Sequence, residues 1–311
     1  MSPSSPPIVI RYHHLAVVCS DLNVSRKFYG KFGFEKKPET TATSSSCILV
    51  NASGFELHML KTGRCVEDNK NILMDHPDEK FPGHTHMSFG VGSVPGVVAY
   101  FEKEQIPLSG TRSIPGIAGP VSIFVRDPDR TVIEFERNDG GDDSLAVTSN
   151  VLSPAPRGGI DHIGTRVSNP KVALEWYMQV LGFGNKVMVY EHNETDVKKN
   201  FRPWIVRTQH GNRPPSGDVD INLIINATTT GQNVLVSADQ DLLPGILYAA
   251  YVVESVEVAI LAIDPADIAK TEDELKAWGI IASVHVLPVQ VGTKSCFVRD
   301  LDKNIFRLIE L

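Results

Sequence analysis

The chain repeats itself, and no other feature of the sequence constrains its fold as much. HLAVVCSD (14–21) is followed by Phe28 and Tyr29 and then by Gly33 and Phe34; HIGTRVSN (162–169) is followed by Trp176 and Tyr177 and then by Gly182 and Phe183. The spacing from the histidine to the Asp or Asn, and on to the aromatic pair, is the same in both copies. FELHML (55–60) answers VDINLI (219–224), and NIL (71–73) before Pro82 and Gly83 answers NVL (233–235) before Pro244 and Gly245. SIFVRD (122–127) answers SCFVRD (295–300). Matched blocks in one order mean a tandem duplication. The halves run over 8–138 and 158–311, joined by a Gly-, Asp-, Ser- and Pro-rich linker at 139–157, with 1–7 as a disordered tail.

Each half divides again. An alternating run from Tyr12 to Val18 predicts a strand. Asp21 is placed to cap a helix carrying Val24, Phe28 and Phe32 at four-residue steps, and Gly33 ends it. Strands are predicted at 46–50 and 54–60. The order restarts with a strand at 86–91, a helix at 94–103, and strands at 121–126 and 131–136. The expected fold is α+β: tandem duplicated βαβββ modules, four in all, forming curved mixed sheets in two similar domains. A lengthened helical element, broken at Asp264 and Pro265, is expected over 256–278 as a lid or edge element.

Composition removes several classes of function. With 30 basic against 37 acidic residues the formal charge is −7, so the basic excess of a nucleic-acid or membrane-surface binder is missing. The four cysteines show no CxxC spacing. No basic start and apolar stretch mark a signal peptide at the N-terminus, and no apolar run is long enough to span a bilayer. A cytoplasmic protein with a small-molecule substrate is expected, as a monomer with an internal pseudo-dimer or as a homodimer.

Side chains alternate along strands, so few positions can face one concave surface. His14 and His86 begin successive modules. Glu134 lies on the last strand of the second module, seven residues after Asp127, and Glu56 on the last strand of the first. Imidazoles and carboxylates from separate strands form a donor set for one divalent first-row metal: Ni, Zn, Co, Mn or Fe(II). His58, two residues beyond Glu56 on the same face, is either an acid/base group or a structural polar residue. His13 should point away, whereas His84 shares the parity of His86. The aspartates of the 127 and 300 turns read as structural.

These motifs resemble the vicinal oxygen chelate superfamily, which includes glyoxalase I, fosfomycin-resistance proteins and extradiol dioxygenases. The carriers are the 14–34 pattern, GHTHMSFGV (83–91) and RDPDRTVIE (126–134). The resemblance implies two glyoxalase-like domains, with His14, His86 and Glu134 on metal-ligand positions and Glu56 on the additional carboxylate position. The second half departs from the pattern, with Tyr248 where His86 would be and Arg307 where Glu134 would be. A permanently charged guanidinium cannot ligate a metal, so that site should be metal-free, with Arg307 paired to the carboxylate facing it.

The superfamily pairs modules in two ways. Pairing within a half gives His14, Glu56, His86 and Glu134, and is the preferred expectation. Exchange between halves gives His162, Asp220, His86 and Glu134, leaving His14, Glu56, Tyr248 and Arg307 together. The implied activity is a glyoxalase-like isomerase or lyase acting through a metal-stabilised enediolate, with Glu134, Glu56 and His58 as catalytic residues. The alternatives are an Fe(II) extradiol-type dioxygenase and a non-catalytic small-molecule binder.

Overall fold

The computed structural model describes residues 9–37, 45–66, 70–76, 79–113, 119–137, 160–182, 188–190, 205–208, 222–227, 242–280 and 293–311. The proposed tail, the linker and Asp220 lie outside these residues. The fold is α+β, rich in mixed sheet and with short helices.

A strand, a helix and further strands recur along the chain. They begin with β1 (Val9–Cys19), α1 (Leu22–Gly30), β2 (Glu35–Lys36), β3 (Ser46–Val50) and β4 (Glu56–Lys61), followed by α2 (Ile72–Asp75). Next come β5 (Gly83–Val91), α3 (Val94–Lys103), β6 (Leu108–Arg112), β7 (Ser122–Arg126) and β8 (Val132–Arg137). The second half opens with β9 (Ile160–Val167), α4 (Pro170–Val180), β10 (Met188–Tyr190), β11 (Ile205–Thr208) and β12 (Asn222–Ala227). It closes with β13 (Gly245–Val253), α5 (Val256–Ala259), β14 (Ile268–Ala269), α6 (Glu272–Ala277), β15 (Lys294–Arg299) and β16 (Ile305–Glu310).

Local chemistry sets the helix starts. Asp21 accepts hydrogen bonds from the Asn23 and Val24 amides, Ser93 from Gly96 and Asn169 from Val172, each satisfying donors that a first helical turn leaves open. The buried face of α1 differs from the expected one: Ser25 and Tyr29 are buried, and Val24 is 49% exposed. The helix expected over 256–278 is broken into α5, two 3₁₀ turns, β14 and α6. Pro265 cannot continue a helix, and Thr271 with Glu274 starts α6 as a capping box.

Among the described residues the strands join in one open, 16-stranded sheet. Its pairings define two arrays, β10-β11-β12-β9-β5-β8-β7-β6 and β2-β3-β4-β1-β13-β16-β15-β14. The arrays touch through one ladder pair, Ile246 with His84. In the first, β5 and β9 run antiparallel, and each has a parallel neighbour, β8 or β12. The second repeats this with β1 and β13, flanked by β4 and β16. Each array therefore takes strands from both halves of the chain. This corrects the preferred expectation: β5 pairs with β9, and β1 pairs with β13.

Within each half, buried polar links tie the helical layer to the strand turns. Tyr29 donates to Asp127 at 2.9 Å, and Tyr177 donates to Asp300. Asp127 Oδ1 also accepts the Asp129 and Thr131 amides, and Asp300 Oδ1 those of Asp302 and Asn304. These turns take the structural role expected of them. The aromatic rings of Phe32, Phe89, Phe101 and Phe135 pack around the same layer at 5.1–6.0 Å between centroids. Each such buried side chain favours folding by about 1.5–3 kcal/mol.

Candidate metal centre

The β5–β9–β8 pairings carry three side chains to one place. Ser88 lies opposite both His162 and Glu134, and His86 lies opposite Gly164. His86 Nε2 is 3.1 Å from His162 Nε2, His162 Nε2 is 3.1 Å from Glu134 Oε2, and His86 Nε2 is 3.4 Å from that oxygen. Donors about 2.1 Å from a common ion lie about 3.0 Å apart at right angles and about 3.4 Å apart at tetrahedral angles. The triangle therefore fits one first-row ion without rearrangement, and all three residues are buried.

The surroundings aim the ligand atoms inward. His162 Nδ1 donates to Asp161 Oδ2 at 2.7 Å, and His86 Nδ1 lies 3.0 Å from Thr85 Oγ1. Holding each Nδ1 turns the Nε2 atoms toward the carboxylate, the usual support for a ligating imidazole. Gly164 makes the room. A Cβ on it would overlap the His86 ring, so only glycine leaves space for the imidazole across the ladder. On the other side of Glu134, Arg112 pairs with Glu136 and stands 3.9 Å from Glu134 Oε1.

Electrostatics follow from this crowding. Burial alone would raise the Glu134 carboxyl, but hydrogen bonds from His162 and His86 outweigh it and hold the group well below the carboxylate range. Burial disfavours charge on His162, yet Asp161 and Glu134 raise it to about 9. Burial lowers His86, opposed by Glu134. Burial, then the charge of Glu134, raises Glu136. Because a ligating imidazole must be neutral, an ion entering here displaces the His162 proton.

The predicted residues separate into two groups. His86 and Glu134 are in this centre, whereas His14, Glu56 and His58 are not. His14 lies on β1, stacked on His58 at 3.6 Å, with Nε2 3.4 Å from Tyr248 Oη. Glu56 gives one oxygen to Lys37 at 2.6 Å and the other to His58 at 2.9 Å. Arg307 joins this second cluster, above the Phe297 ring and 3.4 Å from Ser295 Oγ. Ladder register places Asn222 opposite His162, as Glu56 is opposite His14; Asp220, the carboxylate expected from the exchanged pairing, lies outside the described residues.

Two β-bulges break the alternation on which His13 and His84 were placed. A register shift between Tyr12 and His14 brings His13 into contact with His14, Nδ1 to Nδ1 at 2.7 Å, rather than directing it away. A shift between His84 and His86 sends His84 to the junction of the arrays, where it meets Thr165 and the Ile305 carbonyl. Sequence reasoning missed Asp161 and Gly164. Their signal was adjacency to His162: a carboxylate immediately before it and a glycine two residues after it.

Comparison with known proteins agrees with this fold. The family model of the Glyoxalase/Bleomycin resistance protein/Dioxygenase superfamily matches residues 159–308. Glyoxalase I from Zea mays is similar in structure, with a TM-score of 0.57 at 13% identity, covering 96% of this chain and 92% of that one. A putative dioxygenase from Bacillus subtilis subsp. subtilis str. 168 also reaches a TM-score of 0.57, at 14% identity, covering 97% and 86%. At such identities the likeness is one of fold. No curated protein matches the sequence.

Proposed function

We propose, for a chain that belongs to the Glyoxalase/Bleomycin resistance protein/Dioxygenase superfamily, that His86, His162 and Glu134 hold one divalent ion in an enzyme acting on a small substrate with two adjacent oxygens. The convergence of two Nε2 atoms and one Oε2 at 3.1–3.4 Å carries this reading. When bound, such an ion supplies Lewis acidity to a chelated pair of oxygens. The chain's own groups do the rest. Asp161 and Thr85 fix the imidazole orientations, and Arg112 offsets the paired glutamates. Glu136, two residues past Glu134 on the same strand face, has a buried Oε2 with no hydrogen-bond partner. That oxygen lies 3.5 Å from His162 Nδ1, close to the centre, and is suited to moving a proton on a bound substrate.

Proton transfer beside a polarised carbonyl is isomerase or lyase chemistry of the glyoxalase type, which we take as the leading reading. One observation favours a second. With Glu56 outside the centre, the donor set is two histidines and one carboxylate, the set that also serves Fe(II) oxygenases. An extradiol-type dioxygenase acting on a catechol is therefore the alternative. We also read the recurring strand–helix–strand order as a tandem duplication, with the chain either a monomer that is an internal pseudo-dimer or a homodimer, and we place it in the cytoplasm.

Metal analysis of protein purified without chelator, combined with oxygen uptake, separates these readings. One nickel, zinc or cobalt per chain and no catechol-dependent oxygen uptake supports the isomerase or lyase. Iron with such uptake supports the dioxygenase. A chain that retains no divalent metal under any loading condition overturns both.

A further inference from the structure

His86 reaches the metal centre from a bulge in β5. His84 pairs with Thr165 and His86 with Gly164, so Thr85 is an extra residue between them. That extra residue carries the hydroxyl 3.0 Å from His86 Nδ1. A one-residue slip would turn His86 to the other face of the sheet, so the bulge must be held in register for the imidazole to face His162 and Glu134.

The second array contains the same bulge without a histidine. Val17 pairs with Ile246 and Ala16 with Tyr248, which leaves Leu247 as the extra residue. Ile246 therefore stands where His84 stands, and Val17 where Thr165 stands. An apolar pair is enough to form the bulge. In the array that holds the metal centre the pair is polar instead, and both members are buried. His84 Nε2 donates to the Ile305 carbonyl of β16 at 3.0 Å, which fixes the ring proton there, because a carbonyl only accepts. Burial keeps the ring neutral, so Nδ1 accepts from the Thr165 hydroxyl at 2.9 Å.

We propose that His84, acting with Thr165, is a positioning residue of the metal centre: it pins the β5 bulge and so keeps His86 seated against Gly164. Its ring is bonded to β9 on one side and to β16 of the other array on the other. It also lies in the ladder pair with Ile246 that joins the two arrays, so the second array serves as its anchor. Apolar packing has no direction, whereas two hydrogen bonds at opposite ends of a rigid ring fix where the backbone of residue 84 can lie. The inference rests on the proposed role of His86 as a ligand.

Giving the full chain the second array's pair, His84→Ile with Thr165→Val, tests this, because that pair is compatible with the bulge. Co(II) is the probe. Competition with a chromogenic chelator gives its affinity, and the visible absorption of the loaded chain reports the donors around the ion. The double variant should bind Co(II) about tenfold or more weakly, with altered absorption. The urea midpoint of its metal-free form should stay close to wild type, since both partners of the polar pair are replaced by apolar groups. Where the double variant does not fold, two single variants replace it. Thr165→Val keeps the shape, loses the hydroxyl and should weaken Co(II) binding, whereas Thr165→Ser keeps the hydroxyl and should preserve it. Unchanged affinity and absorption in the double variant, or equal losses in Thr165→Val and Thr165→Ser, overturns the positioning role and leaves His86 as a ligand. A wild-type chain that binds no Co(II) overturns instead the metal centre on which the inference rests.

Discussion

Gly164 sits directly across the β5–β9 ladder from His86, and its missing side chain is the space the imidazole occupies. Gly164→Ala should therefore push His86 out of line while leaving the strand paired. We expect a loss of metal affinity of at least about tenfold, read by competition with a chromogenic chelator, with little change in far-ultraviolet circular dichroism. Unaltered affinity would mean that His86 is not a ligand.

Asp161 orients His162 through a 2.7 Å hydrogen bond and does not need to touch the ion. Asp161→Asn should keep the fold and reduce metal affinity about 10- to 100-fold. Asp161→Glu, which keeps the carboxylate, should recover part of it. Equal losses in both variants would point to packing rather than orientation.

The two clusters should differ in metal content. Glu134→Gln removes the charge that offsets the ion and should abolish metal retention and activity together. Glu56→Gln alters only the Lys37 and His58 contacts and should leave one metal per chain. Elemental analysis after desalting distinguishes them.

Asp127 gives a pH signature. Burial, reinforced by the charge of Asp129, raises its carboxyl to about 7 from 3.8. The folded state then binds a proton more readily than the unfolded chain, so this group's contribution is fully present below about pH 4 and is lost as pH rises through about 7. Its size is on the order of a few kcal/mol. Asp127→Asn should remove this dependence, so the stability gap between wild type and variant narrows from pH 4 to 7.5 in urea titrations. Parallel curves would exclude Asp127 as the source.

Tyr29→Phe and Tyr177→Phe should each cost about 1–3 kcal/mol, because a buried aspartate loses its phenolic donor. The effects should add, since the two links lie in different halves of the chain. Thermal unfolding of the single and double variants measures this.

Short-range physics was legible in the residues. The Asp21 cap follows from a carboxylate's reach to amides two and three residues ahead, and the 127 and 300 turns from aspartate's bonding to its own turn. The link between His86 and Glu134 was also visible, because β5 and β8 are joined as parallel strands within one strand–helix–strand unit. The charge reversal at Arg307 needed only the chemistry of a guanidinium.

Only the tertiary structure decided which histidine joins them. His14 and His162 open equivalent strands, and by sequence alone Arg307 would face a carboxylate under either pairing, so local chemistry and charge do not separate the two. The choice lies in whether β5 docks on β1 or β9, a contact set by the packing of whole arrays rather than by any short segment. The bulges at His13 and Thr85, and the seating of His86 against Gly164, belong to the ladders which that docking creates. A one-residue slip exchanges the faces of a strand, and no periodicity in the sequence records where one occurs.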